Sequence, residues 1–94
     1  MNVSLLTVDF HLGGCRSLKE KRKRLSGIRD RFGKQTGVAV CESDYQDSHQ
    51  RAQWSFVATA SSPEVVGKAL ADIVSGLELN VDAVLTDVQQ ERLI

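Results

Sequence analysis

A dense cluster of cationic side chains is the part of this sequence best suited to binding chemistry. Residues 16–34 hold nine of the twelve Lys and Arg residues but only two of the twelve Asp and Glu residues, which gives the segment a net charge of +7. The other residues carry three cations and ten carboxylates, or −7, so the chain is formally neutral. Like charges repel within the Debye length of about 8 Å at physiological salt. The cluster therefore favours a polyanionic partner, such as the phosphates of RNA.

The candidate RNA-binding residues are the cations that a helical wheel places toward solvent, together with the one in the preceding turn. They are Arg16, Lys19, Lys23, Arg24, Arg31 and Lys34. Three further cations lie beside or almost within the apolar stripe, where their aliphatic stems would cover apolar surface while their charged ends stay in water. These are Lys21, Arg22 and Arg29. A merely solvated helix face, balanced by the chain's own acidic residues, is the structural alternative.

A second polar stretch, DYQDSHQR, suggests acid–base or metal chemistry less convincingly. Asp44, Asp47, His49 and Arg51 lie close in sequence, but no second His or Cys cluster completes a ligand set. Polar residues are also typical of a hairpin loop. We therefore expect a solvated loop, no metal, no cofactor and no enzymatic activity.

Composition and cysteine usage limit the class of protein. Ninety-four residues suffice for one domain, 1–94, with a single hydrophobic core. Cys15 and Cys41 lie far apart without a CxxC partner, which favours free thiols over a disulfide or a zinc site. The segment MNVSLLTVDF lacks the pattern of a signal peptide, and no apolar run reaches the roughly 20 residues that cross a bilayer. We expect a cytoplasmic protein that does not contact membranes.

The elements that must position the cations follow from periodicity and capping signals. Alternating apolar residues predict strands, and apolar residues three and four apart predict helices. Ser17 and Glu20 form an S-x-x-E capping box, and Ser62 precedes a proline at a first helical position. The predicted elements are a strand over 3–12, a basic helix from 17 to about 33, strands over 38–45 and 50–60, a helix ending near 80 and a strand over 81–88.

This order predicts a ferredoxin-like βαββαβ domain of the α+β class. Its four-stranded antiparallel sheet has the order 4-1-3-2, with two helices on one face and the second and fourth strands at the edges. The basic helix, continuous over about 25 Å, would follow several phosphates. The five aromatic residues leave few to stack bases, since Phe10, Trp54 and Phe56 fit the core pattern. The residues expected to be buried together are Phe10, Leu25, Ile28, Phe56, Leu70 and Ile73.

Two segments carry a resemblance to a known family. RSLKEKR opens the first helix, and Asp47, Gln50, Arg51 and Ala52 form a D-x-x-QRA-like pattern before the third strand. Over essentially the whole chain, the sequence resembles the YlxP-like bacterial family, also called domain of unknown function 503. The resemblance implies a small ferredoxin-like protein whose gene often lies beside those for a translation initiation factor and a ribosome-maturation factor. It implies a setting around ribosomal RNA and transfers no catalytic residue.

Two functions follow as hypotheses. The first is a non-catalytic RNA-binding or ribosome-associated factor that contacts phosphates through the basic helix. The alternative is a homodimeric interaction module without nucleic acid, which pairs through a sheet face or through an exposed edge such as residues 38–41. RNA affinity that falls steeply with salt would separate the first from a salt-insensitive dimer.

Overall fold

The computed structural model describes residues 1–94 and contains four strands and three helices. In chain order they are β1 (Asn2–His11), α1 (Leu18–Arg24), α2 (Ile28–Phe32), β2 (Val38–Asp44), β3 (Arg51–Ala60), α3 (Pro63–Asn80) and β4 (Val84–Arg92).

The four strands form one antiparallel sheet in the order β2-β3-β1-β4, which is 4-1-3-2 when counted from the β4 edge. The two central strands pair without interruption, from Asn2 opposite Ala60 to His11 opposite Arg51. Alternate residues of β1 and β3 are fully buried, because they face the helices. The predicted antiparallel sheet covered by helices is confirmed.

A single core joins the helices to one face of the sheet. It holds sixteen buried apolar residues, including all six that the sequence predicts: Phe10, Leu25, Ile28, Phe56, Leu70 and Ile73. Phe32 of α2 meets Phe56 of β3 edge to face, with ring centroids 5.8 Å apart. Because α2 and α3 bury their apolar residues in the same cluster, all the packed helices lie on one side of the sheet.

The basic helix is interrupted, so the prediction of one continuous helix to about residue 33 was wrong. α1 ends at Arg24, and the chain passes through Gly27 with φ of +95° before α2 begins. This left-handed conformation is easy for glycine and stops a right-handed helix. α1 is therefore about 10 Å long and α2 about 8 Å long, in place of the single predicted helix of about 25 Å.

The capping signals at the start of α3 are confirmed, whereas β4 begins and ends later than the predicted 81–88. The Ser62 side chain accepts a hydrogen bond from the Val65 amide, and Pro63 occupies the first turn. β4 begins at Val84 and extends to Arg92, opposite Ser4. Its polar second half continues because β1 offers backbone partners there, which apolar patterning does not reveal.

The second face of the sheet carries no helix and is partly polar. The Gln53 amide donates to Asp9 Oδ1 at 3.0 Å, and its carbonyl accepts from Ser43 Oγ at 2.9 Å. Ser55 Oγ donates to Ser43 Oγ at 2.8 Å. This chain of hydrogen bonds crosses β1, β3 and β2.

No helix of the fold has the length and apolar character needed to span a bilayer.

Candidate nucleic-acid interface

The start of α1 is held by the capping residues that the sequence predicts. Ser17 Oγ accepts from the Glu20 amide at 3.0 Å, and Glu20 Oε2 accepts from the Arg16 amide at 2.7 Å. The hydrogen bond from the Arg16 amide is the largest cause of the lowered pKa of Glu20. A hydrogen bond from Cys15 and the charges of Arg24 and Arg16 lower this pKa further. The Arg16 and Glu20 amides are thus already occupied, so they are not available to a phosphate.

Five of the six candidate phosphate-binding residues are exposed and without an intramolecular ion pair. The salt bridges of the fold involve other cations, namely Lys21, Arg24 and Lys68. The five exposed cations, called here the free cations, are Arg16, Lys19, Lys23, Arg31 and Lys34.

Arg24, the sixth candidate, does not lie on the solvent side as the helical wheel predicts. Its side chain is 16% exposed and lies 3.3 Å from Asp82 Oδ2. Nε donates to the Asp82 carbonyl at 2.9 Å, and Nη1 donates to the Gly13 carbonyl at 2.8 Å. Arg24 therefore joins α1 to the turn after β1 and to the connection between α3 and β4.

The helix break also spreads the cations over different surfaces. Arg29 places its guanidinium over the Trp54 ring, 5.6 Å from the centroid. Arg31 instead lines a small cleft beside Gly76 and Asn80 of α3. The structure does not bring the six predicted residues into one compact site, because Arg24 is engaged within the fold and Arg31 lies beside α3.

Lys21 is the cation whose role the sequence did not reveal. It is only 3% exposed, and its Nζ donates to the carbonyls of Tyr45 at 2.7 Å and Ser48 at 2.9 Å. Glu42 Oε2 lies 3.7 Å away. Lys21 thus ties α1 to the loop between β2 and β3, residues 45–50. The signal in the sequence was the position of Lys21 on the helical wheel, almost within the apolar stripe. The sequence predicts that its ammonium group stays in water, whereas in the structure this group is buried and hydrogen-bonded.

The loop that Lys21 holds is itself ordered by an aromatic contact. Tyr45 adopts φ of +62°, an uncommon value for a residue with a side chain. The Arg51 guanidinium lies 3.9 Å from the centroid of the Tyr45 ring and donates to its hydroxyl at 2.8 Å. The loop is therefore structured, although the sequence suggested only a solvated hairpin connection. No three His, Cys, Asp or Glu side chains converge anywhere in the fold.

Between this loop and the break from α1 to α2 lies a groove of about 510 Å³. Leu18, Leu25 and Trp54 form its apolar part. Its charged lining includes Arg22, Arg29, Asp30 and Asp47, besides the Lys21 and Glu42 pair. Trp54 is 6% exposed, and its Nε1 is the buried side-chain polar atom that has no hydrogen-bond partner.

The strand pairing and the helices on one sheet face define a ferredoxin-like α+β domain. Solved structures agree at the level of fold. The structural-genomics protein YJCS has a TM-score of 0.63 at 9% identity, covering 98% of this chain and 99% of its own. SnoaB, a cofactor-independent oxygenase from Streptomyces nogalater, has a TM-score of 0.58 at 13% sequence identity, and the match covers 100% of this chain and 93% of SnoaB. The designed protein Ferredog-Diesel has a TM-score of 0.51 at 13% sequence identity, and the match covers 95% of this chain and 83% of the designed protein.

The family assignment rests on the sequence. Residues 3–90 match the family described as protein of unknown function (DUF503), and the chain belongs to that family. This confirms the resemblance drawn from the RSLKEKR stretch. No curated protein matches the sequence. These three solved structures share no more than 13% sequence identity with the chain, so they establish its fold alone.

Proposed function

We propose that this protein is a non-catalytic RNA-binding factor that contacts phosphates through the free cations around α1 and α2. The observation that carries the proposal is that these five cations are exposed and form no ion pair within the fold. Of the ten carboxylates outside residues 16–34, Glu42 and Asp82 form ion pairs with cations of the segment, and neither pairs with a free cation.

The energetic argument concerns neighbours on α1. Lys19 and Lys23 are four residues apart and lie on the same side of the helix, where like charges destabilise by about 0.2–0.5 kcal/mol per pair. A phosphate placed between them would turn this repulsion into attraction. The resemblance to YlxP-like proteins supports an RNA of the ribosome as ligand, in the cytoplasm.

The test is the salt dependence of RNA binding. Five phosphate contacts give a slope of log K against log salt of about −3.5 for single strands to about −4.5 for duplex-like charge density. The double variant Lys19→Gln with Lys23→Gln should make the slope shallower by about 1.4 to 1.8 and weaken all RNA sequences about equally.

A matched control removes the same number of charges elsewhere. Lys68→Gln with Arg92→Gln changes two exposed cations of α3 and β4 and should leave both affinity and slope near those of the wild type. If the unmodified protein binds RNA at low salt no better than a neutral protein does, the proposal is wrong.

A homodimer remains the second candidate, favoured by exposed apolar side chains on and after the edge strand β4. Val84, Val88, Leu93 and Ile94 are 43–63% exposed. Sedimentation at low and high salt separates the two functions, because a dimer formed through these residues would persist in high salt and retain no RNA.

A further inference from the structure

The two edges of the sheet differ in how they are protected against pairing with another strand. β4 carries the charged residues Asp87, Glu91 and Arg92, and its pairing with β1 contains a register shift. Charges and bulges are means by which native edge strands avoid association. In β2, residues 38–41 have the sequence VAVC, without charge or proline, and the register with β3 shifts only after Glu42. The unprotected edge of the sheet is therefore β2.

The alternation of hydrogen bonds fixes which backbone groups of β2 face away from the sheet. The Thr59 amide donates to the Gly37 carbonyl at 2.9 Å, just before β2 begins. Every second residue of an antiparallel strand bonds to its neighbour, so Ala39 and Cys41 also bond to β3. The amide and carbonyl of Val40 therefore point away from β3, and no turn or loop of the chain bonds them.

The same edge of a second copy supplies the missing partners. When two β2 strands run antiparallel about a two-fold axis at Val40, each Val40 amide donates to the Val40 carbonyl of the other copy. The Glu42 amide, which also points outward, then donates to the Val38 carbonyl of the other copy. The Val38 amide already donates to the Gln35 carbonyl at 3.2 Å and needs no further acceptor.

The side chains favour this register. Directly opposed residues lie on the same face of a sheet, so Val40 packs against Val40 of the second copy beside the core. Ala39 lies opposite Cys41 on the face without helices. Glu42 lies opposite Val38, which separates the two Glu42 residues along the strands by about 13 Å. An axis at Cys41 would instead make the two Glu42 residues diagonal neighbours, about 7–8 Å apart.

Charge also favours a second β2 over β4 as the occupant. Both β2 and β4 have a net negative charge, and the carboxylates of β4 are distributed along the strand. Like charges directly opposite each other destabilise a sheet. A pair of β2 strands avoids this repulsion because their uncharged residues 38–41 lie at the centre of the pairing.

We propose that two copies of this chain pair through β2, so that the four strands of each form one continuous sheet. Because opposed residues share a face, the two-fold axis is perpendicular to the sheet and the helices of both copies lie on the same side. The pairing itself does not depend on RNA. Its consequence for the proposed function is that the free cations on the helices of both copies lie on one side of the joined sheet.

Cysteine crosslinking tests the register. Ala39→Cys places a thiol opposite the exposed Cys41 of the second copy, in a non-hydrogen-bonded pair with Cα atoms about 4.5 Å apart, which is within disulfide range. Mild oxidation should convert this variant to a covalent dimer on a non-reducing gel. In the wild type, the two Cys41 residues are diagonal, about 7–8 Å apart, and should crosslink far less.

The matched control for crosslinking is the double variant Ala39→Cys with Cys41→Ser. Its two introduced thiols are also diagonal, so it should remain monomeric on the same gel. Crosslinking of this control as readily as the Ala39→Cys variant would overturn the proposal, because the thiols would then meet by collision. Crosslinking of the wild type as readily as the Ala39→Cys variant would overturn the register with its axis at Val40.

Sedimentation equilibrium tests the pairing without cysteine chemistry. The wild type should change from monomer to dimer as its concentration rises at constant salt. Val40→Pro removes the outward amide from both copies, at an edge position where proline is tolerated. We expect it to raise the dimer dissociation constant about tenfold or more, while circular dichroism shows an unchanged fold. If Val40→Pro unfolds the protein, the Ala39→Cys crosslink decides.

The other edge offers a matched proline control. The Leu12 amide donates to the Gln50 carbonyl, so the even-numbered residues of β1 bond to β3 and not to β4. Gln90 lies opposite Leu6 and therefore directs its amide outward from β4, as Val40 does from β2. Gln90→Pro should leave the dimer dissociation constant unchanged.

The outcomes separate this proposal from the proposed function. A protein that is monomeric at every concentration overturns the pairing, and so does a folded Val40→Pro variant that dimerises as the wild type does. Neither result bears on RNA binding by the free cations, which are absent from β2. The monomeric Val40→Pro variant should still bind RNA in a salt-dependent way. Absence of RNA binding in a protein that crosslinks as expected overturns the proposed function alone.

Discussion

Lys21 and Lys23 lie two residues apart in α1 and have opposite fates. Lys21 is buried and its ammonium bonds two carbonyls of the β2–β3 loop, whereas Lys23 is exposed and forms no ion pair. Arg24 belongs with Lys21, because its guanidinium joins two connections of the fold. A run of cations in sequence thus forms two populations in space: cations that hold the fold together and exposed cations that form no ion pair within it.

The largest effect should follow from removing the buried cation. Lys21→Met keeps the apolar stem but loses both carbonyl bonds and leaves Glu42 without its partner. We expect a loss of about 3 kcal/mol in the free energy of unfolding, measured in urea. Lys23→Met is the matched control and should change stability by less than about 0.5 kcal/mol. Equal effects of the two substitutions would abolish the distinction between the populations.

Arg24→Gln should have an intermediate effect. Its ion pair with Asp82 contributes little, since the Asp82 side chain is 77% exposed. The bonds to the Gly13 and Asp82 carbonyls account for an expected loss of about 1–2 kcal/mol, again by urea unfolding. RNA affinity should fall no more than one lost charge accounts for. A stable Arg24→Gln protein with strongly reduced RNA binding would move Arg24 into the free population.

The smallest effect concerns Glu20 and depends on pH. The folded protein lowers the pKa of this carboxyl, so its contribution is complete above the ordinary glutamate pKa and disappears as pH falls through the lowered value. Glu20→Gln should therefore lower the melting temperature slightly at neutral pH. The difference from the wild type should vanish in acid, and a difference that widens in acid would contradict the assigned bond to the Arg16 amide.

Much of the fold follows from local signals, and most of the groove does not. Alternation in β1 and β3 and the caps at Ser17 and Ser62 suffice to place those elements and the core. The break at Gly27 escaped prediction because an isolated glycine is often tolerated within a helix. The groove forms where α1, the start of α2 and the loop between β2 and β3 come together beside Trp54, and no local pattern encodes that packing.

The bonds from Lys21 also set an order of assembly during synthesis. Lys21 reaches partners 24 and 27 residues further along the chain, so the β2–β3 loop cannot be fastened until Ser48 has been made. The basic segment, residues 16–34, is therefore synthesised before the loop that fastens Lys21 exists. The contacts that join α1 to the β2–β3 loop, and the groove between them, can form only after the β2–β3 hairpin is in place.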